Sequence, residues 1–497
     1  MEATMRRIPI LLLILFTCFS VAAWAQGQAQ ASSTTLHQYT LYDFGTFGGP
    51  SSSTSFLAPS LSFRGAIGGA QTPAQDPFDP NCVGALFFGD CYVMHAYQWS
   101  NGVLKDLGAL GNSWDNNTSF ASAINNFALI AGYAGNGSVD AATGYPTGHA
   151  VAWKNGKIID IGTFGGTQSA AMTLNDLGQV VGGALNTIDD PWSAQFPIGP
   201  GTLAFPGTTQ MRAFVWQNGR KRDLGTLGGP DAFAFAVNRF GQIAGESYTS
   251  YTANEGTGVP TVDPFLWNNG KMIDLGSLGG TSGLSIWLND WGQVVGISNL
   301  AGDETSHGFL WSRGKMHDLR PASGGNNSWA FWINDLGDVI GGSSLPGDEL
   351  WEATLWRSGT PINLGVLGQD SCAEAFGINN LRQVVGSSNE CGSGRAFLWQ
   401  NGSMFDLNAL VANPSDLYLY LASYIDDRGE IIAQGILPDG SVHTALLVPS
   451  GTCGFACQQR IANSQSVVPR IATKPLSGRP DWRRNRFSRN PPLLGNR

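Results

Sequence analysis

An apolar strand ending in Trp recurs along this 497-residue chain at Trp99, Trp153, Trp216, Trp267, Trp311, Trp356 and Trp399, at intervals of 43 to 63 residues, and Val448 holds an eighth equivalent position. A fixed period means an array of one supersecondary unit whose copies bury each other's faces, and this constrains the fold before any local propensity does. The parts of the unit are readable. A polar residue and Asn-Gly follow most of the Trp residues, at Asn101-Gly102, Asn155-Gly156, Asn218-Gly219, Asn269-Gly270 and Asn401-Gly402, with Arg313-Gly314 and Ser358-Gly359 as weaker versions. Asn-Gly suits the two positive φ angles of a type I′ hairpin. The strand leaving that turn closes on Asp-Leu-Gly or a variant, marked by Asp43, Asp106, Asp160, Asp223, Asp274, Asp318, Asn363 and Asp406, and a glycine-rich connection follows. The next strand ends in Asn and a tight turn, as in Asn175 to Gly178, Asn238 to Gly241, Asn289 to Gly292 and Asn334 to Gly337. Asn125, Asn379 and Asp426 continue that series, with Ala128 and Arg382 in place of two of the glycines. An apolar strand such as Gln179-Val180-Val181-Gly182 completes the module.

Four antiparallel strands per module of this size predict an all-β fold, a β-propeller of eight four-stranded blades with the Asn-ending strand innermost. The N-terminal strand from Tyr39 to Phe44 is a lone fourth strand, and Ser423 to Val448 supplies three strands lacking a fourth. Their union completes the last blade and ties the ring; seven blades with one irregular module is the alternative. Residues 1–25 read as a signal peptide, 36–450 as the propeller, and 451–497 as a short Cys-containing segment and a basic tail expected to be disordered from Arg460.

The ordered series His-Ala-aromatic, Trp, Asn-Gly, Asp-Leu-Gly-Thr-Leu-Gly-Gly, Asn-x-x-Gly-Gln-Val-Val-Gly resembles the HAF-type extracellular repeat family. His95-Ala96-Tyr97 and His149-Ala150-Val151 carry its naming motif, Arg212-Ala213-Phe214 and Arg395-Ala396-Phe397 carry it with Arg, and His307-Gly308-Phe309 varies it. The likeness runs from about Leu41 to Val448. It implies bacterial export and offers no catalytic residues to carry over.

Arg6 and Arg7 precede an apolar run from Ile8 to Val21 that ends at Ala23-Trp24-Ala25, the pattern of a cleaved secretory signal, so an extracellular or cell-envelope location is expected. A lipoprotein anchor at Cys18 fits less well, because Phe16 and Thr17 stand where small residues belong. No other run would span a bilayer. From Gln26 to Cys457 there are 17 Lys and Arg against 35 Asp and Glu, which argues against nucleic acid as a partner. In an oxidising compartment the remaining six cysteines suggest disulfides, and proximity favours Cys82 with Cys91, Cys372 with Cys391, and Cys453 with Cys457.

His95, His149, His307 and His443 share one strand position, but Arg212, Asp263, Glu352 and Arg395 fill it in the other copies. That mixture supports a structural role over a metal ring, and no metal or cofactor is expected. A residue repeated in every module is a poor catalyst, so a site is sought in what is not repeated. The links between the second and third strands are long in the first four modules and share one face. They carry Phe78, Asp79, Phe87, Phe88, Tyr145, Asp189, Asp190, Trp192, Phe196, Tyr248, Tyr251 and Glu255. Of these, Tyr145, Asp189, Asp190, Trp192, Phe196, Tyr248 and Tyr251 form the candidate ligand surface, for an extracellular glycan or a peptide. The expected function is that of a monomeric, non-enzymatic binding or scaffold protein. A glycan-active hydrolase or lyase using Asp189 or Asp190, and a structural cell-surface component, are the alternatives.

Overall fold

The computed structural model describes residues 35–464 except 56–57, 80–81, 83–87, 112–116, 197–206 and 390–393. The signal segment, Phe87, Cys391 and the tail after Ser464 lie outside the described residues. The chain is all-β, and the second module shows its plan: Ser119–Ile124, Ile130–Val139, Pro146–Lys154 and Lys157–Asp160 pair antiparallel in sequence order. The sixth, Ser328–Ile333, Val339–Ser344, Trp351–Arg357 and Thr360–Asn363, repeats it with shorter second and third strands. Each hairpin after the third strand has both central residues at positive φ, 51° and 80° at Asn101-Gly102 for example, as a type I′ turn requires.

The chain departs from the expected plan at two places. In the first module, the opening strand is broken into Ser52–Ser53 and Leu61–Ser62, both paired with Gly65–Gln75. Pro59 lies in the gap and has no N–H to give a ladder. Between the fourth and fifth, one parallel pair, Val262 opposite Ser282, joins two four-strand sets into an eight-stranded sheet.

The chain's two ends share one sheet. His37–Asp43 pairs with Val442–Thr452, placing Thr40 opposite Val448. Neighbouring modules are sealed by apolar clusters that draw residues from both. Ile67 and Ala96 of the first meet Ala121 and Val151 of the second, and Tyr97 and Trp99 of the first meet Ile432 and Leu446 of the eighth. Phe44 stacks on Trp99 at 4.6 Å between ring centres. A hydrogen bond recurs with these seals: the third strand of one module gives an N–H to the serine opening the next, Ala96 to Ser119 Oγ (2.9 Å) and Ala150 to Ser169 Oγ (2.8 Å). Thr444 of the eighth module makes the same bond to Ser52 Oγ of the first, at 3.0 Å.

The C-terminal segment corrects one expectation. Residues expected to be disordered from Arg460 begin instead in a helix, Phe455–Ser464. A Cys453–Cys457 disulfide holds its first turn, and Arg460 anchors it to Ala409 O (2.9 Å) and Gln38 Oε1 (3.2 Å). Cys82 and Cys91 are bonded as expected, and Cys372 is also disulfide-bonded.

Ala128 sits at φ 59°, where six of the other modules place glycine. A left-handed alanine costs about 1–2 kcal/mol, partly offset by the extra chain entropy of glycine. Ala128→Gly is therefore expected to raise stability by about 0.5–1 kcal/mol in denaturant unfolding.

Candidate functional site on the turn face

Antiparallel pairing puts the Asn turns and the Asn-Gly hairpins at one end of every module and the long links at the other. At the turn end the modules are stitched by their asparagines. The Nδ2 of each donates to the backbone carbonyl of the next: Asn125 to Asn175 (3.0 Å), Asn175 to Asn238 (2.8 Å), Asn238 to Asn289 (3.1 Å), Asn289 to Asn334 (3.0 Å), Asn334 to Asn379 (3.0 Å) and Asn379 to Asp426 (2.9 Å). The Oδ1 of each Asn accepts two N–H groups of its own turn, as Asn289 does from Trp291 and Gln293. One side chain thus closes a turn and binds a neighbour, which an ionised Asp, having no donor, cannot do. At the eighth and first modules, where Asp426 and Ser62 stand, other contacts serve. The Arg428 guanidinium lies over Phe63 at 4.5 Å, and Arg64 Nε donates to Asn126 O at 3.3 Å.

These turns surround a cavity of 480 Å³. Asn125, Asn175, Asn238, Asn289, Asn334 and Asn379 line it with Asp176, Asp290, Asp335, Asp426 and Asp427, and Trp287, Trp332 and Tyr424 form its aromatic side. The two indoles stack at 4.0 Å with 15° between planes, and Tyr424 meets Trp332 edge-on at 5.9 Å. Gly377 stands between the strands of Trp332 and Tyr424, where a Cβ would press Tyr424 Cα at 3.2 Å. The opposite side carries small residues at the equivalent positions, Ala123, Thr173 and Ala236. Burial, with Asp335 nearby, raises the Asp290 carboxyl above the usual range.

Outside the cavity runs a second ring. The third residue of each turn from the second to the seventh module is large, apolar and exposed: Phe127, Leu177, Phe240, Trp291, Leu336 and Leu381. Trp291 is 74 % exposed, yet its Nε1 donates to Asp335 O at 2.9 Å, which fixes the indole plane over the next turn. Contiguous exposed apolar side chains on a folded protein mark contact surfaces.

On the opposite face the expected surface is only partly surface. Asp190, Phe196 and Tyr248 are buried, Tyr145 and Trp192 are half-buried, and Asp189 and Tyr251 are exposed. Phe196 packs edge-on against Tyr248 at 4.9 Å within the core of the third to fifth modules. Asp190 Oδ1 accepts the Trp192 N–H at 3.2 Å, so this carboxylate closes its own loop.

The repeated His position also resolves. Its residue faces the Asp eleven positions later in His95 Nδ1 to Asp106 (2.8 Å), His149 to Asp160 (3.0 Å), His307 to Asp318 (2.7 Å) and Arg212 to Asp223 (3.0 Å), and His443 faces the equivalent Asp43 of the N-terminal strand (2.9 Å). The same carboxylate accepts the N–H of the following glycine, as Asp106 does from Gly108 at 2.7 Å. Where Asn363 replaces Asp, Glu352 replaces the cation and accepts from the Asn363 amide. Among the described residues, no group of three or more His, Cys, Asp or Glu side chains is arranged to hold a metal ion.

No family model matches the chain, and no curated protein matches it. Solved structures that it resembles include the β-propeller domain of the trilobed protease from Pyrococcus furiosus (8 % identity, TM-score 0.38, 68 % of this chain and 96 % of that one). Others are the Trypanosoma rangeli sialidase in complex with sialic acid (8 %, 0.32, 86 % and 59 %) and TolB from Acinetobacter baumannii (9 %, 0.27, 84 % and 98 %). With TM-scores this low, these likenesses carry nothing about what the chain binds.

The fourth module breaks the pairing rule by setting Asp263 against Asp274. Burial first, and the Asp274 charge second, push Asp263 up to about 6, and its buried Oδ1 has no partner among the described residues. A raised folded-state value means stability that is complete below the unfolded pKa and lost as pH rises through about 6. Asp263→Asn should match the parent near pH 4 and exceed it by about 1–3 kcal/mol at pH 8 in denaturant titrations.

Proposed function

We propose that this protein is a secreted, non-enzymatic binding protein, an eight-bladed β-propeller closed by its N-terminal strand, and that it holds an extracellular glycan on the turn face. The ring of exposed apolar and aromatic side chains around the central cavity carries this reading. Flat rings such as Trp291 and Phe240 match the C–H faces of sugars, and the exposed rim carboxylates Asp176, Asp335 and Asp427 offer hydrogen bonds to hydroxyls. Closure is supported by the shared sheet of the two chain ends and by the Thr444–Ser52 bond, which treats the first module as the neighbour of the last. A binding role rather than catalysis is supported by the repeated acids, which are engaged in pairs and turns. Export is supported by the disulfides and the leader sequence.

A glycan array probed with the full chain tests the proposal. Trp291→Ala and Phe240→Ala, both at exposed positions, should each weaken binding at least tenfold while changing stability by less than about 1 kcal/mol. Binding that survives both changes, or no binding to any glycan, would overturn it.

A further inference from the structure

The long links of the first three modules are built alike at one point. Asp76, Asp140 and Asp190 each bond through their backbone N–H across the base of the link, to Cys91 O (2.8 Å), Tyr145 O (2.9 Å) and Thr208 O (2.9 Å). Each accepts through Oδ1 the N–H two residues on, from Phe78 (3.0 Å), Ala142 (2.8 Å) and Trp192 (3.2 Å). Each turns Oδ2 toward the start of the following module. In the first two copies a threonine hydroxyl answers: Thr118 Oγ1 donates to Asp76 Oδ2 (3.1 Å) and Thr167 Oγ1 to Asp140 Oδ2 (2.6 Å).

In the third copy the partner is Asp231. It occupies the place of Thr118, one residue before its module's first strand, and repeats the second bond of that threonine. Met94 N donates to Thr118 Oγ1 (3.4 Å), and Met211 N donates to Asp231 Oδ1 (2.6 Å). Both carboxyls are buried, and neither Asp190 Oδ2 nor Asp231 Oδ2 receives a donor from any other described residue. A contact that elsewhere uses a hydroxyl proton here needs a carboxyl proton.

We propose that the Asp190–Asp231 contact is an acid–acid latch, in which one shared proton ties residues 190–196 of the third module to the fourth module and loss of that proton to solvent releases that stretch. The proton leaves to water or hydroxide and two buried carboxylates remain facing each other. The surroundings set when this happens. Asp190 approaches from the link, Arg212 from the third module's third strand, and Glu246 and Tyr248 from the fourth module's second strand. Arg212 is committed to Asp223 and to Pro230 O, so the negative groups dominate. Burial first, then the bond and charge of Asp190, raise the Asp231 carboxyl to about 9. Folded-state stability is therefore complete below the unfolded carboxylate range and is lost as pH rises through about 9.

Hydrogen exchange of the full chain between pH 6 and 10, corrected for the intrinsic pH dependence, reads the latch in the peptide covering residues 186–196. The matching peptide around Asp140, whose partner is Thr167, is the internal reference. The 186–196 peptide should lose at least tenfold protection between pH 8 and 10 while the reference holds. Asp231→Thr, which copies the first module's solution, should abolish that loss, and Asp231→Asn should do the same. The infrared spectrum of the unaltered chain at pH 7 should show a protonated-carboxyl band that is missing in both variants. Equal behaviour of the two peptides, an unchanged pH response in Asp231→Thr, or no such band would overturn the latch.

Discussion

The amide of one asparagine, used twice, organises this molecule. An Asn side chain has an acceptor and a donor at opposite corners. In each repeated turn the acceptor gathers the turn's own N–H groups, while the donor reaches the carbonyl of the next module's Asn. Because the acceptor of each link is the donor residue of the following one, the angle between neighbouring modules is set by the same short bond at six successive junctions, from the second module to the eighth. Apolar seals between modules supply the larger share of stability, but a greasy contact alone would tolerate sliding. Directional bonds at the turn end suppress it.

That ladder also shapes the cavity. Drawing six turns toward one another makes a rim of amides and carboxylates, and the third residue of each turn is forced outward because its neighbours in the turn face the ring. Outward is where Phe127, Phe240 and Trp291 stand, in contact with water on a protein that could have used polar residues there. Asymmetry inside the rim comes from side-chain size: the stacked Trp287 and Trp332 fill one side, and Ala123 and Ala236 leave the other open. The two faces therefore divide their work. Long links on the far face bury aromatic residues and clamp module to module through Asp76, Asp140 and Asp190, while the regular turns present the apolar ring.

Much of the module was legible in the sequence because its signals are backbone signals. Asn-Gly at seven hairpins, or a related pair, demanded positive φ, and the structure has it at each. The alternation of strand ends placed the two faces and paired His37–Asp43 with the last module's third strand. The cavity was not legible, since Trp287 and Trp332 look like ordinary strand aromatics until curvature brings them to the centre. A weak signal was present in the apolar third residue of turns that are otherwise polar. The long-link candidates misjudged burial: Tyr248 and Phe196 sit in segments that read as loop or strand end, yet pack under the link. The pairing of Glu352 with Asn363 was readable in principle, because the one module lacking the Asp also lacks the cation. Asp231 was hidden by its neighbours, Gly228-Gly229-Pro230, which read as a simple connection.

The most direct test of the ladder is Asn289→Ala, followed by denaturant unfolding with hydrogen exchange resolved by module. It removes the donor to Asn334 O and the acceptor for Trp291 and Gln293, all made by one buried side chain. Loss of about 2–4 kcal/mol is predicted, with exchange rising in both the fifth and the sixth modules. A loss below about 0.5 kcal/mol, or one confined to the fifth module, would contradict the view that the asparagine ladder joins the modules.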